Sequence, residues 1–304
     1  MQVDAILCSD FHLRDSVPVC RVDDYFQTML GKIKWVADLQ VKYDCPVLHA
    51  GDLFHTWKAS PYLLAAIMNI LPDQFYTVPG NHDLPNHNIE LLEKSGLAVL
   101  MCSHQIEVAY SGGRYLIAGS DMDGTVVHGF NYGGLENKNE SHAALCDILM
   151  CHEMIYQQPE HWQKKNGSQA LAFLKKHKGY QLIVTGHNHK PFTAEHEGRL
   201  LVNPGSLMRM NADQKDYKPR VYLWNKETNT VKIEYVPIDS KAVETVYLEK
   251  TKERDERMES FINRLQSSKE VGLSFEKNLE NYLANNRVRT SVKDVINECI
   301  GGGV

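Results

Sequence analysis

Short apolar runs recur along the first two thirds of the chain, and most of them are separated by helical patterns. Around Asp23–Gln40, for example, apolar residues return at helical spacing, and Pro61 opens an apolar helix that we expect to reach Leu71. Strands alternating with helices indicate an α/β core whose sheet is buried on both faces. The predicted early strands are Val3–Cys8, Pro46–Ala50, Phe75–Val78, Leu116–Ala118, Ile148–Cys151 and Leu182–Thr185.

The remaining chain separates into an antiparallel continuation and a helical tail. Four later apolar runs lack helices between them: Phe192–Glu195, Leu200–Val202, Arg220–Trp224 and Val231–Val236. From about Pro237 the pattern becomes helical, so we predict one domain over residues 1–238 and a helical appendage over 239–304. Three apolar stripes carry the appendage: Met258, Phe261, Ile262 and Leu265; Phe275, Leu279, Tyr282 and Leu283; and Val292, Val295, Ile296 and Cys299, the last after a capping pattern at Ser291 and Asp294.

Two stretches carry little periodicity and are predicted to be long loops, Asp121–His142 and Glu153–Gly167. Such loops often shape access to a site on a rigid scaffold, although surface decoration is an equal alternative. His128 and His161 lie within them and are the two remaining histidines of most interest. The other histidines outside the motifs lack ligand contexts, and ordinary surface or buried polar roles are favoured for them.

The overall charge and the cysteines narrow the functional class. The net charge of −5 gives no global basic footprint, which argues against DNA binding by bulk attraction but leaves a local groove or metal-mediated phosphate binding open. Seven scattered cysteines without C-x-x-C pairs are typical of reduced, buried thiols. No secretion signal or membrane-spanning run is evident, so we predict a cytoplasmic protein with no membrane partner.

Polar motifs follow the predicted strands directly. Because open α/β sheets place their ligand sites at the carboxyl ends of strands, we expect these side chains to converge. Within D-x-H, residues i and i+2 point to the same side of an extended chain. The motifs are Asp10-Phe11-His12, Gly51-Asp52-Leu53-Phe54-His55, Gly80-Asn81-His82-Asp83, His152 and Gly186-His187-Asn188-His189.

The residue types in these motifs indicate a metal centre. Oxygen and imidazole donors without thiolates suit divalent Mn, Fe, Co or Zn. A carboxylate shared by two ions would hold them about 3.5–4 Å apart, the spacing used for in-line displacement at phosphorus by a bridging hydroxide. An imidazole that is not a ligand could then give a proton to the leaving alkoxide. The motifs therefore predict a two-metal phosphoesterase, with Mn as the expected metal and Fe, Co, Zn and Mg as alternatives.

Taken in order over roughly residues 1–236, the motifs resemble the calcineurin-like metallophosphoesterase superfamily. The resemblance implies a four-layer α/β/β/α sandwich, here with a short helical C-terminal appendage. It implies that His82 is the non-ligand imidazole facing the leaving group and that Asp83 orients it. It assigns Asp10, His12, Asp52 and His189 to one metal and Asp52, Asn81, His152 and His187 to the other, with Asp52 bridging.

Within the superfamily, G-D-L-F-H resembles the SbcD-type DNA-repair nucleases, an exonuclease and endonuclease class. The resemblance implies that His55 contacts a substrate phosphate and that DNA is the substrate, and it places a homodimer contact on the helix at Pro61–Leu71, where simple core packing is the alternative. Asn203-Pro204-Gly205-Ser206 resembles the loop after the last metal motif, and nearby Arg209 is a candidate for either a phosphate contact or a surface salt bridge.

The length of the C-terminal appendage indicates which partner to expect. The family carries a DNA-capping region and then helices that dock on a coiled-coil ATPase of the SMC-like, SbcC type. The roughly 65 residues after Pro237 are too few for the capping region but enough for docking helices. Two other hypotheses stay open: a stand-alone phosphodiesterase or phosphatase acting on a small phosphoester, and a degenerate scaffold that binds protein.

Overall fold

The computed structural model describes residues 2–117, 124–135, 147–158, 167–245, 258, 260 and 275–301. The chain divides into two compact units, Met1–Thr245 and Val246–Val304. Ala242 and Val243 are buried, and Val243 bridges Arg21, so the first unit extends through this segment. The functional division after residue 238 stays a prediction.

The described helices and strands agree with the predicted α/β class. The helices are α1 (Tyr25–Tyr43), α2 (Pro61–Met68), α3 (Gly96–Cys102), α4 (Ala170–Lys176), α5 (Phe275–Asn285) and α6 (Thr290–Gly301). The strands are β1 (Ala5–Cys8), β2 (Val47–His49), β3 (Phe75–Thr77), β4 (Glu107–Val108), β5 (Gly113–Ile117), β6 (Thr125–Phe130), β7 (Ile148–Cys151), β8 (Ile155–Tyr156), β9 (Ser168–Gln169), β10 (Leu182–Thr185), β11 (Phe192–His196), β12 (Arg199–Asn203), β13 (Arg220–Asn225) and β14 (Thr230–Tyr235).

The described strands form two six-stranded sheets and one small two-stranded sheet. The first large sheet has the order β14-β13-β1-β2-β3-β4, and the second has the order β11-β12-β10-β7-β6-β5. In the first, β1 to β4 run parallel and β13 runs antiparallel to β1. In the second, β6, β7, β10 and β12 run parallel. Each sheet therefore brings the carboxyl ends of several parallel strands to one edge.

Alternation along the strands sorts the core into layers. On β1, Ile6 packs with helices α1, α2 and α3, whereas Leu7 faces the second sheet. On β10, Leu182 faces the first sheet, whereas Ile183 packs with α4. Because successive strand residues point to opposite faces, each sheet is covered on both sides. The layers are helices, sheet, sheet and helix, which confirms the predicted α/β/β/α sandwich.

The predicted loop Asp121–His142 is wrong over part of its length. Residues Thr125–Phe130 form strand β6, which lies between β5 and β7 in the second sheet. Gly129 and His128 interrupt the apolar run of this strand, so the sequence pattern did not indicate a strand there. His128 is buried and its Nδ1 lies 2.6 Å from the Tyr180 hydroxyl, so it has a partner inside the core. In the other predicted loop, Ile155–Tyr156 forms β8, and His161 lies outside the described residues.

The tail helices are described separately from the first unit. Two predicted stripes correspond to α5 and α6, and α6 begins at Thr290, next to the predicted capping pattern. The first stripe, with Phe261, Ile262 and Leu265, lies outside the described residues except for Met258. None of the helices in the described ranges combines the length and hydrophobicity that a bilayer crossing requires.

Lys32 is a charged residue on the buried face of α1. Its side chain is buried, and Nζ donates to the Leu207 carbonyl at 2.9 Å. Burial, followed by the positive charges of Arg21 and Arg209, lowers the pKa of Lys32 to about 7. An unfolded lysine keeps its proton up to about pH 10.4. Between these values the unfolded chain binds more protons, so the free energy of unfolding rises with pH.

We expect Lys32→Met to remove this rise, because methionine fills the site without a titrating group. Urea unfolding at about pH 7.5 and about pH 9.5 measures it. Over that pH interval, the free energy of unfolding should rise by on the order of 2 kcal/mol more in the native chain than in the variant. Lys34→Met is the control, since Lys34 is exposed and pairs with Asp38 on the same helix. Parallel pH profiles for the native chain and Lys32→Met would contradict the assignment.

Candidate metal centre

The five predicted motifs lie at the carboxyl ends of five strands, divided between the two sheets. The first three follow β1, β2 and β3, and the last two follow β7 and β10. Hydrogen bonds join these loops: the His187 amide donates to Asp10 Oδ1 at 3.1 Å, between the two sheets, and the Asp10 amide donates to the Gly51 carbonyl at 3.0 Å, within the first sheet. The sandwich thus brings together residues that are far apart in the sequence.

Asp10, His12 and His189 form the first group of side chains that could hold a metal ion, with ligand atoms within 4.8 Å of one another. His12 Nε2 and His189 Nε2 are 3.0 Å apart, and His189 Nε2 is 3.6 Å from Asp10 Oδ1. Two ligands about 2.1 Å from one ion and roughly at right angles lie about 3 Å apart. The spacing of the two imidazole nitrogens therefore fits a shared ion.

Asp52, His152 and His187 form a second such group. His152 Nε2 lies 3.2 Å from Asn81 Oδ1, which brings the amide of the third motif into the same group. The Nδ1 of His152 lies 2.7 Å from the Ala50 carbonyl. A hydrogen bond there places the proton on Nδ1 and leaves Nε2 to bind a metal, the usual outer partner of a ligating histidine.

Asp52 lies between the two groups. Its Oδ2 is 3.5 Å from His12 Nε2 and 3.3 Å from His152 Nε2. Its Oδ1 accepts a hydrogen bond from the His82 amide at 2.8 Å. One carboxylate oxygen thus faces an imidazole of each group, which is the position that the predicted bridging role requires.

The donor set fits divalent metal ions. All the side chains offer oxygen or imidazole nitrogen, which suits Mn, Fe, Co or Zn. Asp10 Oδ2 is buried without a hydrogen-bond partner among the described residues. A buried carboxylate oxygen without a partner is costly unless a cation meets it. The predicted ligands Asp10, His12, Asp52, Asn81, His152, His187 and His189 are therefore all gathered at one place, and their assignment to metals stays a prediction.

The surroundings lower the pKa of two predicted ligand imidazoles and raise that of a third. Burial lowers the pKa of His12 well below 6.5, and burial with the nearby His152 lowers the pKa of His187 to about 4. Burial opposes the charge on Asp52 and His152, but their mutual attraction prevails: the pKa of Asp52 falls well below its usual range and the pKa of His152 rises to about 10. A metal ion binds the neutral imidazole ring, so a metal ion and a proton compete for His152.

Several of the predicted ligands have a strained backbone. Asp10, His12, Asp52 and His187 all have positive φ, at 52°, 47°, 56° and 74°. Non-glycine residues adopt this left-handed conformation uncommonly, and it persists where surrounding structure holds it, often at functional sites. Four of the predicted ligands therefore sit on strained turns at the strand ends.

Gly80 is needed because two motif loops approach each other closely. A Cβ at this position would lie 2.1 Å from Asp52 Oδ1 and 2.3 Å from the Asp52 backbone nitrogen. We expect Gly80→Ala to push the third motif away from Asp52, to weaken metal binding and to lower the free energy of unfolding by about 1–3 kcal/mol. Chemical unfolding and metal titration measure both effects.

Gly31→Ala is the matched control, because a Cβ at Gly31 in α1 meets nothing within 4 Å. Alanine in a helix interior should raise the free energy of unfolding by up to about 1 kcal/mol. Unchanged metal affinity in Gly80→Ala would contradict the close approach.

His82 and His55 lie beside the first ligand group. The His82 ring is 4.8 Å from the ring of His12, and the His55 ring is 5.6 Å from that of His82. His82 Nδ1 lies 2.7 Å from the His55 carbonyl, which turns Nε2 of His82 away from that backbone. Burial lowers the pKa of His55 to about 4, with the charge of Arg14 contributing. Both predicted non-ligand imidazoles are thus present at the centre.

Asp83 does not orient His82 in the way that the resemblance implied. Its carboxylate is buried and accepts hydrogen bonds from the backbone amides of Phe54 at 2.8 Å, Gly80 at 2.9 Å and Leu53 at 3.2 Å. The His55 carbonyl holds the His82 ring instead. Asp83 therefore ties the second motif to the third, and its catalytic role is corrected to a positioning role.

Arg209 is not placed to bind substrate. Its side chain is 1% exposed, and its guanidinium donates to the carbonyls of Lys215, at 2.8 Å, and Asp239. Both sequence-based alternatives, a phosphate contact and a surface salt bridge, are therefore wrong. The side chain closes the loop after β12 by satisfying backbone carbonyls, a role that no motif signals.

Tyr132 is a residue at the centre that the sequence did not indicate. It follows β6, and its ring centroid lies 5.3 Å from that of His187 and 6.3 Å from that of His152. The ring of His87 lies 6.1 Å from Tyr132, and His87 Nδ1 is 2.8 Å from the Asn81 carbonyl. The one sequence feature that could have indicated Tyr132 is its position just after a strand. Because a long loop was predicted there, the end of β6 was not recognised.

Comparison with known proteins gives one family match. A model described as the Calcineurin-like phosphoesterase superfamily domain matches residues 3–223. Among solved structures, a novel archaeal phosphodiesterase is 14% identical, with a TM-score of 0.39 over 76% of this chain and 99% of its own. A putative 5′-nucleotidase from Staphylococcus aureus is 12% identical, with a TM-score of 0.43 over 83% of this chain and 58% of its own. The phosphopantetheinyl hydrolase of Mycobacterium tuberculosis is 11% identical, with a TM-score of 0.44 over 79% of this chain and 98% of its own.

Proposed function

The chain belongs to the calcineurin-like phosphoesterase superfamily, and from that membership we propose that it is a metal-dependent phosphodiesterase that cleaves DNA in the manner of the SbcD-type nucleases. In this proposal two divalent ions are held, one by Asp10, His12, Asp52 and His189 and the other by Asp52, Asn81, His152 and His187. When bound, such ions polarise the phosphoryl oxygens and lower the pKa of a water nucleophile.

The chain's own residues complete the reaction. His82 faces the leaving group, and its Nε2 gives a proton to the departing oxygen as the phosphorus–oxygen bond breaks. The His55 carbonyl, 2.7 Å from Nδ1 of His82, fixes which ring nitrogen faces the substrate. Asp83 holds the second and third motifs together through three backbone amides, so that His82 and Asp52 keep their relative positions.

The observation that carries the DNA substrate is the position of His55. The imidazoles of His12, His55 and His82 offer nitrogens within 4.8 Å of one another, close enough to hold a metal ion themselves. In the proposed assignment His55 and His82 are not metal ligands, so their rings contact the phosphodiester instead. His55 is the last residue of the G-D-L-F-H motif, in which the resemblance implies a phosphate contact, and it stands where such a contact can be made.

The partner and the dimer belong to the same proposal. Tyr282 on α5 and Val292 and Val295 on α6 are exposed apolar side chains, which supports docking of these helices on a coiled-coil ATPase of the SbcC type. Tyr62 on α2 is also exposed and stacks on Phe26, at a centroid distance of 5.0 Å, which supports a dimer contact there.

The test is a nuclease assay with Mn on labelled single-stranded and double-stranded DNA, run beside bis-p-nitrophenyl phosphate. We expect cleavage of DNA that disappears in His82→Ala. Hydrolysis of the small ester without any DNA cleavage would overturn the nuclease proposal and favour a small phosphoester as the substrate. A folded protein that binds no metal would overturn the enzymatic proposal altogether and favour a protein-binding scaffold.

A further inference from the structure

Tyr132 occupies a defined position at the metal centre that the proposed chemistry does not use. Its ring lies against the imidazoles of His187 and His152, in the second ligand group, at 5.3 Å and 6.3 Å between centroids. The rings of His82 and His55 lie instead against His12, in the first ligand group. The residues facing the leaving group and the ring of Tyr132 therefore border different parts of the centre.

The backbone of Tyr132 is anchored to the metal motifs. Its amide donates to the Pro79 carbonyl at 3.0 Å, directly before Gly80 and Asn81. Asn131 is buried; its Nδ2 donates to the Tyr132 carbonyl at 2.8 Å, and its Oδ1 accepts from the Ser111 amide at 3.1 Å. These hydrogen bonds fix the backbone of Tyr132 relative to the ligands, and its ring packs on His187 and His152.

His87 extends the same aromatic surface. Asn86 and His87 both have positive φ, at 52° and 57°, in the turn after the third motif. This strained turn brings His87 Nδ1 to 2.8 Å from the Asn81 carbonyl and leaves the His87 side chain exposed, with its ring 6.1 Å from that of Tyr132. Consecutive non-glycine residues in this conformation cost energy and persist where the structure requires them.

An aromatic surface beside a phosphate-cleaving centre suits a nucleobase. Tyr132 is partly exposed, so a substrate can reach its side chain. Every base offers a π-face, and stacking on an aromatic side chain strengthens binding by about 5-fold to 150-fold in a sequence-tolerant way. The leaving group lies beside His82. The nucleotide that keeps the phosphate after cleavage therefore extends in the other direction, away from His82.

We infer that Tyr132, extended by His87, is the stacking site for the base of the nucleotide that keeps its phosphate after cleavage. This inference rests on the proposed function, since it assumes that the centre holds a phosphate. It makes the substrate class a nucleotide rather than a simple phosphoester. Tyr132 is then a specificity-determining residue.

The experiment compares two ligands that differ only in the base, deoxyadenosine 5′-monophosphate and deoxyribose 5-phosphate. Both are titrated by calorimetry into the full-length, Mn-loaded protein carrying His82→Ala, which prevents turnover. We expect the nucleotide to bind at least about 5-fold more tightly than the sugar phosphate. In Tyr132→Ala the ratio of the two affinities, nucleotide to sugar phosphate, should fall to within about 2-fold of one. Tyr132→Phe should keep the ratio because the aromatic ring remains.

Metal content is measured for every variant, because Tyr132 also packs on two ligands. Tyr235→Ala is the control, an exposed tyrosine on β14 that should leave the ratio unchanged. A ratio near one in the unsubstituted site, an unchanged ratio in Tyr132→Ala, or equal weakening of both ligands with loss of metal would each overturn the inference. If the nucleotide binds more tightly than the sugar phosphate as expected but the native protein does not cleave DNA, the nuclease proposal is rejected and the inference of a base-stacking site stands.

Discussion

Replacement of His82 by alanine is expected to lower turnover by about 10²–10⁴-fold while leaving the metal content unchanged. His82 is not among the predicted ligands, and its ring is held by the His55 carbonyl at 2.7 Å from Nδ1. Removing it takes away the proton for the leaving group but none of the seven proposed metal ligands. The backbone amide of His82, which donates to Asp52 Oδ1 at 2.8 Å, is kept in the variant.

The measurement is steady-state hydrolysis of DNA and of bis-p-nitrophenyl phosphate, with metal content determined on the same samples. Hydrolysis of a substrate whose leaving group needs no proton should slow less in His82→Ala. The turnover of p-nitrophenyl esters should therefore fall less than the turnover of DNA. His196→Ala is the control, because His196 lies on β11 and contacts Glu197. Loss of metal in His82→Ala would show that His82 is a ligand and would contradict the assignment.

Replacement of Asp52 by asparagine is expected to abolish both metal binding and activity. Asp52 Oδ2 faces His12 Nε2 at 3.5 Å and His152 Nε2 at 3.3 Å, so one change weakens both ligand groups. Asparagine retains the shape and an oxygen for the His82 amide but loses the negative charge. We expect metal affinity to fall by more than about 100-fold, the upper range for losing an outer partner of a ligand.

Metal titration and turnover measured together test this expectation. Asp38→Asn is the matched control, since it removes one carboxylate charge at an exposed site paired with Lys34 on α1. It should alter neither quantity. If Asp52→Asn binds metal with native affinity, Asp52 is not shared between the groups and the proposed arrangement fails.

The sequence determined the class of fold and the composition of the centre. Both depend on short-range patterns: a short continuous apolar run marks a buried strand, and a polar motif directly after it marks the carboxyl end, where ligand sites form. Asp10 after β1 and His187 after β10 could therefore be placed at the centre before their contact was known. The strand β6 escaped because His128 and Gly129 break its apolar run, and Tyr132 escaped with it.

Only the tertiary structure decided how the collected residues divide their roles. Asp83 stands next to His82 in the sequence, yet its carboxylate turns to the amides of Leu53 and Phe54 on a different loop. Arg209 follows a loop that resembles a substrate loop, yet it is buried against backbone carbonyls. A motif specifies which groups are available near a strand end. The direction of each side chain depends on partners brought close by the packing of two sheets, and no local pattern encodes those partners.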